Sequence, residues 1–154
     1  MIKRKKIITV AIDSGAAAGA GTVAKNIAKY FNLYYLDTGK IYRYIGKIKL
    51  DNKKNFNYAL VKKKIKKLNI KNLQNKNLLS DEVAISASKI AKSNNIRKIV
   101  RNFQMNCAYN PPKKYSGSIL DGRDITTVIV KDAMFKFFIT ADLKTRSLRR
   151  YKEY

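Results

Sequence analysis

The sequence predicts an α/β fold in which helices cover both faces of a mostly parallel sheet. Two observations carry that expectation. Short β-rich apolar runs alternate with amphipathic helical stretches along the 154 residues, and such alternation implies crossover connections between parallel strands. Acidic residues are also rare, 10 against 34 basic ones, yet Asp13, Asp37, Asp121 and Asp124 each stand at or just past the end of an apolar run. Ligands of open parallel sheets bind at the carboxyl ends of the strands, so these four positions mark where a site is expected.

The elements follow in order. Ile7-Ile8-Thr9-Val10-Ala11-Ile12 reads as a strand buried on both faces. Asp13 to Thr22 is a Gly/Ala-rich loop. Val23, Ala24, Ile27, Ala28 and Phe31 then recur at helical spacing, with Lys25, Asn26 and Lys29 on the other side. Leu33-Tyr34-Tyr35-Leu36 is a second strand, and Thr38 to Lys49 is helical. Between Asp51 and Asn77, Lys and Asn dominate. One amphipathic helix carrying Leu60, Val61, Ile65 and Leu68 is expected there, followed by a polar connection: a small insertion or a solvated linker with little order. Ser80-Asp81-Glu82 starts a long helical stretch that reaches Tyr109, with a hydroxyl cap and acids at the positive end of the dipole. Ser93-Asn94-Asn95 interrupts it, and Asn110-Pro111-Pro112 ends it. Ser118-Ile119-Leu120 is a third strand and Phe135 to Ile139 a fourth; Asp142 caps a last helix that is still running at Tyr154.

Composition narrows the chemistry. With no histidine, His-based zinc sites and Ser-His or Cys-His catalysis are excluded. The single cysteine, Cys107, rules out an internal disulfide framework and fits a reducing, cytoplasmic setting. No run is as long as a membrane span, and the basic start from Ile2 to Lys6 leads straight into a β-like run. The net charge of +24 raises the question of a nucleic-acid partner. Heavy use of Lys, Asn and Ile, and lysines scattered without one stripe, favour the imprint of an A/T-rich genome instead, and no specific nucleic acid is expected.

The loop Ser14-Gly15-Ala16-Ala17-Ala18-Gly19-Ala20-Gly21-Thr22 lies between strand and helix. That is the layout of a phosphate cradle: small residues let backbone N–H groups face the anion, and the helix N-terminus adds a favourable partial charge. A tight turn packed against a sheet would favour the same residues. The loop matches the pattern G-x-x-x-x-G-K-[ST] imperfectly. Ser14 takes the place of the first glycine and Ala20 that of the lysine, while Thr22 keeps a hydroxyl able to face magnesium.

Two further segments are more specific: Leu36-Asp37-Thr38-Gly39-Lys40-Ile41-Tyr42-Arg43 after the second strand, and Leu120-Asp121-Gly122-Arg123-Asp124 after the third. At these residues the chain resembles bacterial cytidylate kinases, whose segments read L-D-[ST]-G-x-x-Y-R and D-G-R-D-x-x-T. Ala87-Ser88-Lys89-Ile90-Ala91, Ile96-Arg97, Arg101 and Gln104 resemble the family's nucleotide-monophosphate segment. The resemblance runs from about Ile7 to Arg150. It implies a P-loop NTPase-like sheet and one nucleoside monophosphate kinase domain over 1–154, with 51–109 as the nucleotide-monophosphate-binding insertion and long helix. It implies ATP-dependent phosphoryl transfer to CMP or dCMP with Mg2+, by a monomer without membrane association. In that reading Ser14 to Thr22 wrap the ATP phosphates and Thr22 faces the metal. Thr38, Arg97 and Asp124 read the cytosine edge beside Asp37, Ser88 lies near the sugar, and Arg43 and Arg123 hold the acceptor phosphate. The chemistry of the residues agrees: a doubly charged phosphate matches a guanidinium fork better than an ammonium. Only 8 of the 34 basic residues are Arg, and four of them stand at 43, 97, 101 and 123.

Three departures qualify the resemblance. Ala20 removes the loop lysine; Lys40, where the family has a small residue, is either a partial replacement for the lost charge or one more lysine of a lysine-rich chain. Arg146, Arg149 and Arg150 resemble the helix that leads into the family's arginine-rich lid. The rest of the lid, the last strand and the terminal helix would lie beyond Tyr154, so a C-terminally truncated kinase with an unpaired sheet edge is expected. The region 51–77 is shorter and more polar than the family's insert. The alternative to an active kinase is a non-catalytic nucleotide-binding remnant on the same scaffold.

Overall fold

The computed structural model describes residues 7–152; the basic start from Ile2 to Lys6 and the last two residues lie outside them. The chain divides into two compact units, one taking the chain up to Asp37 and again from Met105, the other spanning Thr38–Gln104.

The first unit is built on four parallel strands, β1 (Ile8–Ser14), β2 (Leu33–Asp37), β3 (Gly117–Gly122) and β4 (Phe135–Ile139), in the order β2-β3-β1-β4. The central strand β1 buries every residue from Thr9 to Asp13, which is why its sequence is a continuous apolar run without alternation. Register places Ile12 opposite Asp121 on one side and Phe137 on the other. Helix α1 (Ala20–Tyr30) turns Ala20, Ala24 and Ala28 inward, and these methyls join Val10, Ile12, Leu33 and Ile119 in one cluster. Three alanines at helical spacing let the helix approach the strands closely. Val23 and Phe31, expected on that face, are instead 41% and 55% exposed: the buried stripe is the narrow row of alanines, and both larger residues fall beside it. β4 is an edge strand, and Phe135, Phe137 and Phe138 on it are exposed; among the described residues no further strand pairs with it. The last helix, α7 (Leu143–Lys152), starts where expected: Asp142 Oδ1 accepts from Thr145 N at 2.8 Å.

The second unit is helical. It holds α2 (Thr38–Asp51), α3 (Tyr58–Lys66), the short α4 (Ile70–Leu73), a single 3-10 turn (Lys76–Leu79), α5 (Asp81–Ile90) and the start of α6 (Asn94–Tyr109). The polar stretch after α3, expected to be a connection, is ordered by asparagine caps. Asn57, Asn69 and Asn75 accept from the backbone N–H of Leu60, Asn72 and Asn77, each satisfying a donor that the helix or turn itself leaves open. Leu73 and Leu78 are then buried. α2 and α5 meet at Gly46. A β-carbon there would lie 2.9 Å from Ala87 N and 3.0 Å from Val83 O, and Ser86 Oγ donates to Gly46 O at 3.1 Å. The interruption expected at Ser93-Asn94-Asn95 is present as the break between α5 and α6, closed by Arg97 N donating to Ser93 O at 2.9 Å.

Candidate functional site

The loop at the carboxyl end of β1 runs from Ser14 to the start of α1. Gly19 caps that helix with φ 94°, and the N–H groups of Thr22 and Val23 donate to Gly19 O at 3.1 and 3.2 Å. Ala17 is also left-handed, at φ 56°, a conformation that costs a non-glycine residue roughly 1–2 kcal/mol. The backbone therefore doubles back tightly before the helix begins. A cavity of about 500 Å3 opens here, lined by Ala17, Ala18, Gly19, Thr22, Arg149 and Lys152 among others. Ala20, where the phosphate-loop pattern has lysine, is 5% exposed, its methyl in the cluster under α1.

The aspartates at the strand ends have distinct duties. Asp13 is buried and accepts from Ile125 N at 2.5 Å, from Thr126 N at 3.1 Å and from the Thr126 hydroxyl. It thereby fastens the single π-helical turn Ile125–Ile129, whose N-cap is Asp124. The Arg123-Asp124 pair is held directly upstream of that anchor. Asp121 is buried near the end of β3, where Tyr35 OH lies 3.4 Å from both of its carboxylate oxygens. Burial first, and the Asp37 carboxylate second, push Asp121 up to about 7. Burial and the same two acids raise the Tyr35 phenol, which keeps it a proton donor. A β-carbon on Gly21 would lie 3.5 Å from Asp121 Oδ2 and 3.6 Å from the Tyr35 hydroxyl, so this acidic group abuts the first turn of α1.

The remaining residues singled out from the sequence fall as follows. Ser14 to Thr22, Asp37, Arg123 and Asp124 belong to the first unit, and Thr38, Lys40, Arg43, Ser88 and Arg97 to the second. Thr38 is buried at the start of α2. On the same helix, Arg43 Nη1 donates to Leu78 O at 2.9 Å. Ser88 on α5 and Arg97 on α6 are exposed and lie on either side of the helix break. Arg123 is exposed just after β3. Cys107 is buried, with its thiol pushed up to about 11 by that burial, so it is not a nucleophile at neutral pH. Sequence reasoning missed Tyr35 and the anchoring role of Asp13, and it singled out Arg146 and Arg149 without their contacts to the loop. Arg146 Nε donates to Ala16 O at 2.7 Å and Arg149 Nη1 to Ala17 O at 3.3 Å. These contacts join segments more than a hundred residues apart, and nothing local in the chain announces them.

Residues 10–154 match the family described as cytidylate kinase. A cytidylate kinase from Bartonella tribocorum is 42% identical over 96% of this chain and 67% of its own length. One from Paramagnetospirillum magneticum is 40% identical over 94% and 68%, and one from Bartonella bacilliformis 41% identical over 94% and 66%. The chain spans about two thirds of the length of these relatives.

Proposed function

The chain belongs to the cytidylate kinase family, and on that premise we propose that it transfers the γ-phosphoryl group of ATP to CMP or dCMP. The observation that carries this reading is the loop from Ser14 to Thr22, turned left-handed at Ala17 and Gly19 and opening onto a cavity at the head of an 11-residue helix. Backbone N–H groups at such a helix start favour phosphate. An oxygen of the acceptor phosphate attacks the γ-phosphorus, and the bond from that phosphorus to the β,γ-bridging oxygen breaks, leaving ADP and the pyrimidine diphosphate. Charge spreads over the transferring oxygens, so catalysis rests on placed cations and N–H donors.

Residue roles follow from the same reading. Arg43 and Arg123 hold the acceptor phosphate; Thr38, Arg97 and Asp124 read the cytosine, with Asp37 beside Thr38; Ser88 lies at the sugar. ATP is the donor. Mg2+ keeps most of its shell as water and phosphate oxygens and asks for only one or two protein oxygens. Among the described residues no cluster of three acidic or sulfur ligands could cage a metal, while the exposed Thr22 lines the phosphate cavity, so the residues fit a phosphate-bound Mg2+ held through Thr22. The ion supplies charge neutralisation on the phosphates when bound.

Coupled ADP release measured with CMP, dCMP and UMP tests the reading. Turnover is expected with the two cytidine nucleotides. ATP binding without any pyrimidine-dependent turnover would return the chain to a non-catalytic nucleotide binder.

A further inference from the structure

We infer that Asp13 caps the turn after Arg123 in place of Asp124, and that it is thereby a positioning residue that leaves the Asp124 carboxylate to select the pyrimidine. This deepens the kinase reading and rests on it, since that reading puts Asp124 at the cytosine edge.

A helical turn leaves its first N–H groups without partners of their own, and an aspartate at the N-cap is among the residues that satisfy them best. Asp124 stands at that position before Ile125–Ile129, yet its side chain makes no cap hydrogen bond to the turn. The duty has passed to another strand. Asp13 Oδ1 accepts from Ile125 N, and Oδ2 accepts from Thr126 N and from the Thr126 hydroxyl. Both carboxylate oxygens are engaged, and Asp13 is 4% exposed, so water weakens these bonds little. Register puts Asp13 within reach: its backbone lies opposite Gly122 in the ladder of β1 and β3, and the chain leaves that ladder at Arg123 to form a turn packed against β1. The turn grips Asp124 by its carbonyl, to which Val128 N and Ile129 N donate at 2.9 and 3.2 Å. The backbone of Asp124 is thus fixed while its carboxylate is not spent on the turn. A carboxylate accepts from the exocyclic amino group of cytosine, where a pyrimidine with a carbonyl at that place offers only a repelling oxygen. A turn deprived of Asp13 has its own N-cap carboxylate as the next acceptor, and a carboxylate drawn onto the turn no longer meets the base. Asp13, Asp124 and the turn all belong to the first unit.

The experiment measures kcat/KM with CMP and UMP, calorimetric affinity for both and for MgATP, and the melting temperature. The variants are Asp13→Asn, Asp124→Asn and the two combined. Asparagine keeps the size of Asp13 but turns an N–H donor toward donors. Thr9→Val is the control: buried Thr9, on the same strand, accepts through Oγ1 from Met134 N at 3.0 Å, an anchor of the same kind on a segment with no residue assigned to the base. The expected result for Asp13→Asn is a fall of roughly tenfold or more in the preference for CMP over UMP, with MgATP affinity unchanged. Thr9→Val should lower the melting temperature and keep the preference. In the Asp124→Asn background, Asp13→Asn should change the CMP value by less than about threefold, because a residue that acts through another is not additive with it. A preference retained in Asp13→Asn would overturn the inference, as would a loss shared equally by CMP and UMP, or one that adds in full to that of Asp124→Asn. If Asp13→Asn does not fold, Thr126→Val, which removes one of the three donors, should cost about threefold in preference, and an unchanged preference there would overturn the inference equally. The two readings separate cleanly. Parent protein that binds CMP over UMP, loses that preference in Asp13→Asn and yet never phosphorylates CMP removes the kinase reading alone. Parent protein that turns over CMP and keeps its preference in Asp13→Asn removes this inference alone.

Discussion

The two units carry the same biased alphabet to different ends. In the first, Lys and Asn stay on solvent-facing surfaces while a strand ladder, a row of alanines and a few acids do the structural work. In the second, the same asparagines start the helices, and long runs of lysine flank isolated buried residues such as Val61 and Ile65. Compositional drift toward Lys and Asn is thus tolerated in two ways. Where the backbone is buried on both sides it is kept out, and where helices are short it is turned into caps. The first unit can be broken through its charges, the second through its close helix contact and, least severely, through its caps.

The largest effect is expected from the buried acid of the first unit. Asp121 is pushed up to about 7 from an ordinary value near 3.8, by burial and then by Asp37. A carboxyl whose folded value is raised contributes its full stability below its unfolded value and loses it as pH climbs through the folded one. The parent should therefore weaken between about pH 4 and pH 7, and Asp121→Asn should not. The two should be similar at pH 4, and the variant should be more stable at pH 8 by up to about 4 kcal/mol. Urea midpoints at pH 4, 6 and 8 check this; parallel curves for the two proteins would show that Asp121 does not carry the pH dependence.

A smaller effect is expected where α2 crosses α5. Gly46→Ala puts a methyl against the backbone of Ala87 and Val83, which cannot swing aside as a side-chain tip could. Alanine gains about 1 kcal/mol of helix propensity, and overpacking of this kind costs typically 1–3 kcal/mol. We expect net destabilisation of about 1–2 kcal/mol. The proposed function puts Arg43 and Ser88, which ride on these two helices, at CMP and the donor at the first unit's loop; on that reading the CMP KM should rise while affinity for MgATP stays as it was. Equal changes in both substrates would erase the distinction between the units.

How much was legible follows from the same contrast. Strands β1 and β3 could be read because burial on both faces leaves no polar alternation to confuse them, β2 and the exposed β4 only as short runs of aromatic and apolar residues, and the loop and both Asp-bearing segments follow directly on their strand ends. The inward row of α1 was misassigned at Val23 and Phe31, because size alone does not say which apolar residue faces a sheet; the alanines at 20, 24 and 28 do, through close approach. Asp13 was legible as a residue at a strand end but not as the anchor of Ile125 and Thr126, which depends on a parallel neighbour far along the chain. Arg146 and Arg149 were likewise legible as members of a basic last helix but not as partners of Ala16 and Ala17. The ordered stretch after α3 did carry a local signal. Asn57, Asn69 and Asn75 each stand three to four residues before a buried apolar residue, Val61, Leu73 and Leu78, and that is the spacing of a cap before a first inward-facing turn.

The smallest effect tests whether those asparagines are caps or drift. Asn57 accepts from Leu60 N at 2.9 Å, and its replacement by lysine, the residue most abundant around it, should cost about 1 kcal/mol. Asn57→Asp should be neutral or slightly stabilising, since a carboxylate caps as well and favours the positive end of the helix dipole. Asn26 supplies the control from the first unit. It is exposed in the interior of α1, where asparagine is a poor helix former, so Asn26→Lys should stabilise by a few tenths of a kcal/mol, on the order of 0.4. Chemical denaturation of the three variants separates the cases. Loss at 57 with gain at 26 means that asparagine is held by geometry at the cap of α3 and only by composition in the interior of α1. Gain at both positions would mean that neither depends on asparagine, and loss at both that the contrast between cap and helix interior is wrong.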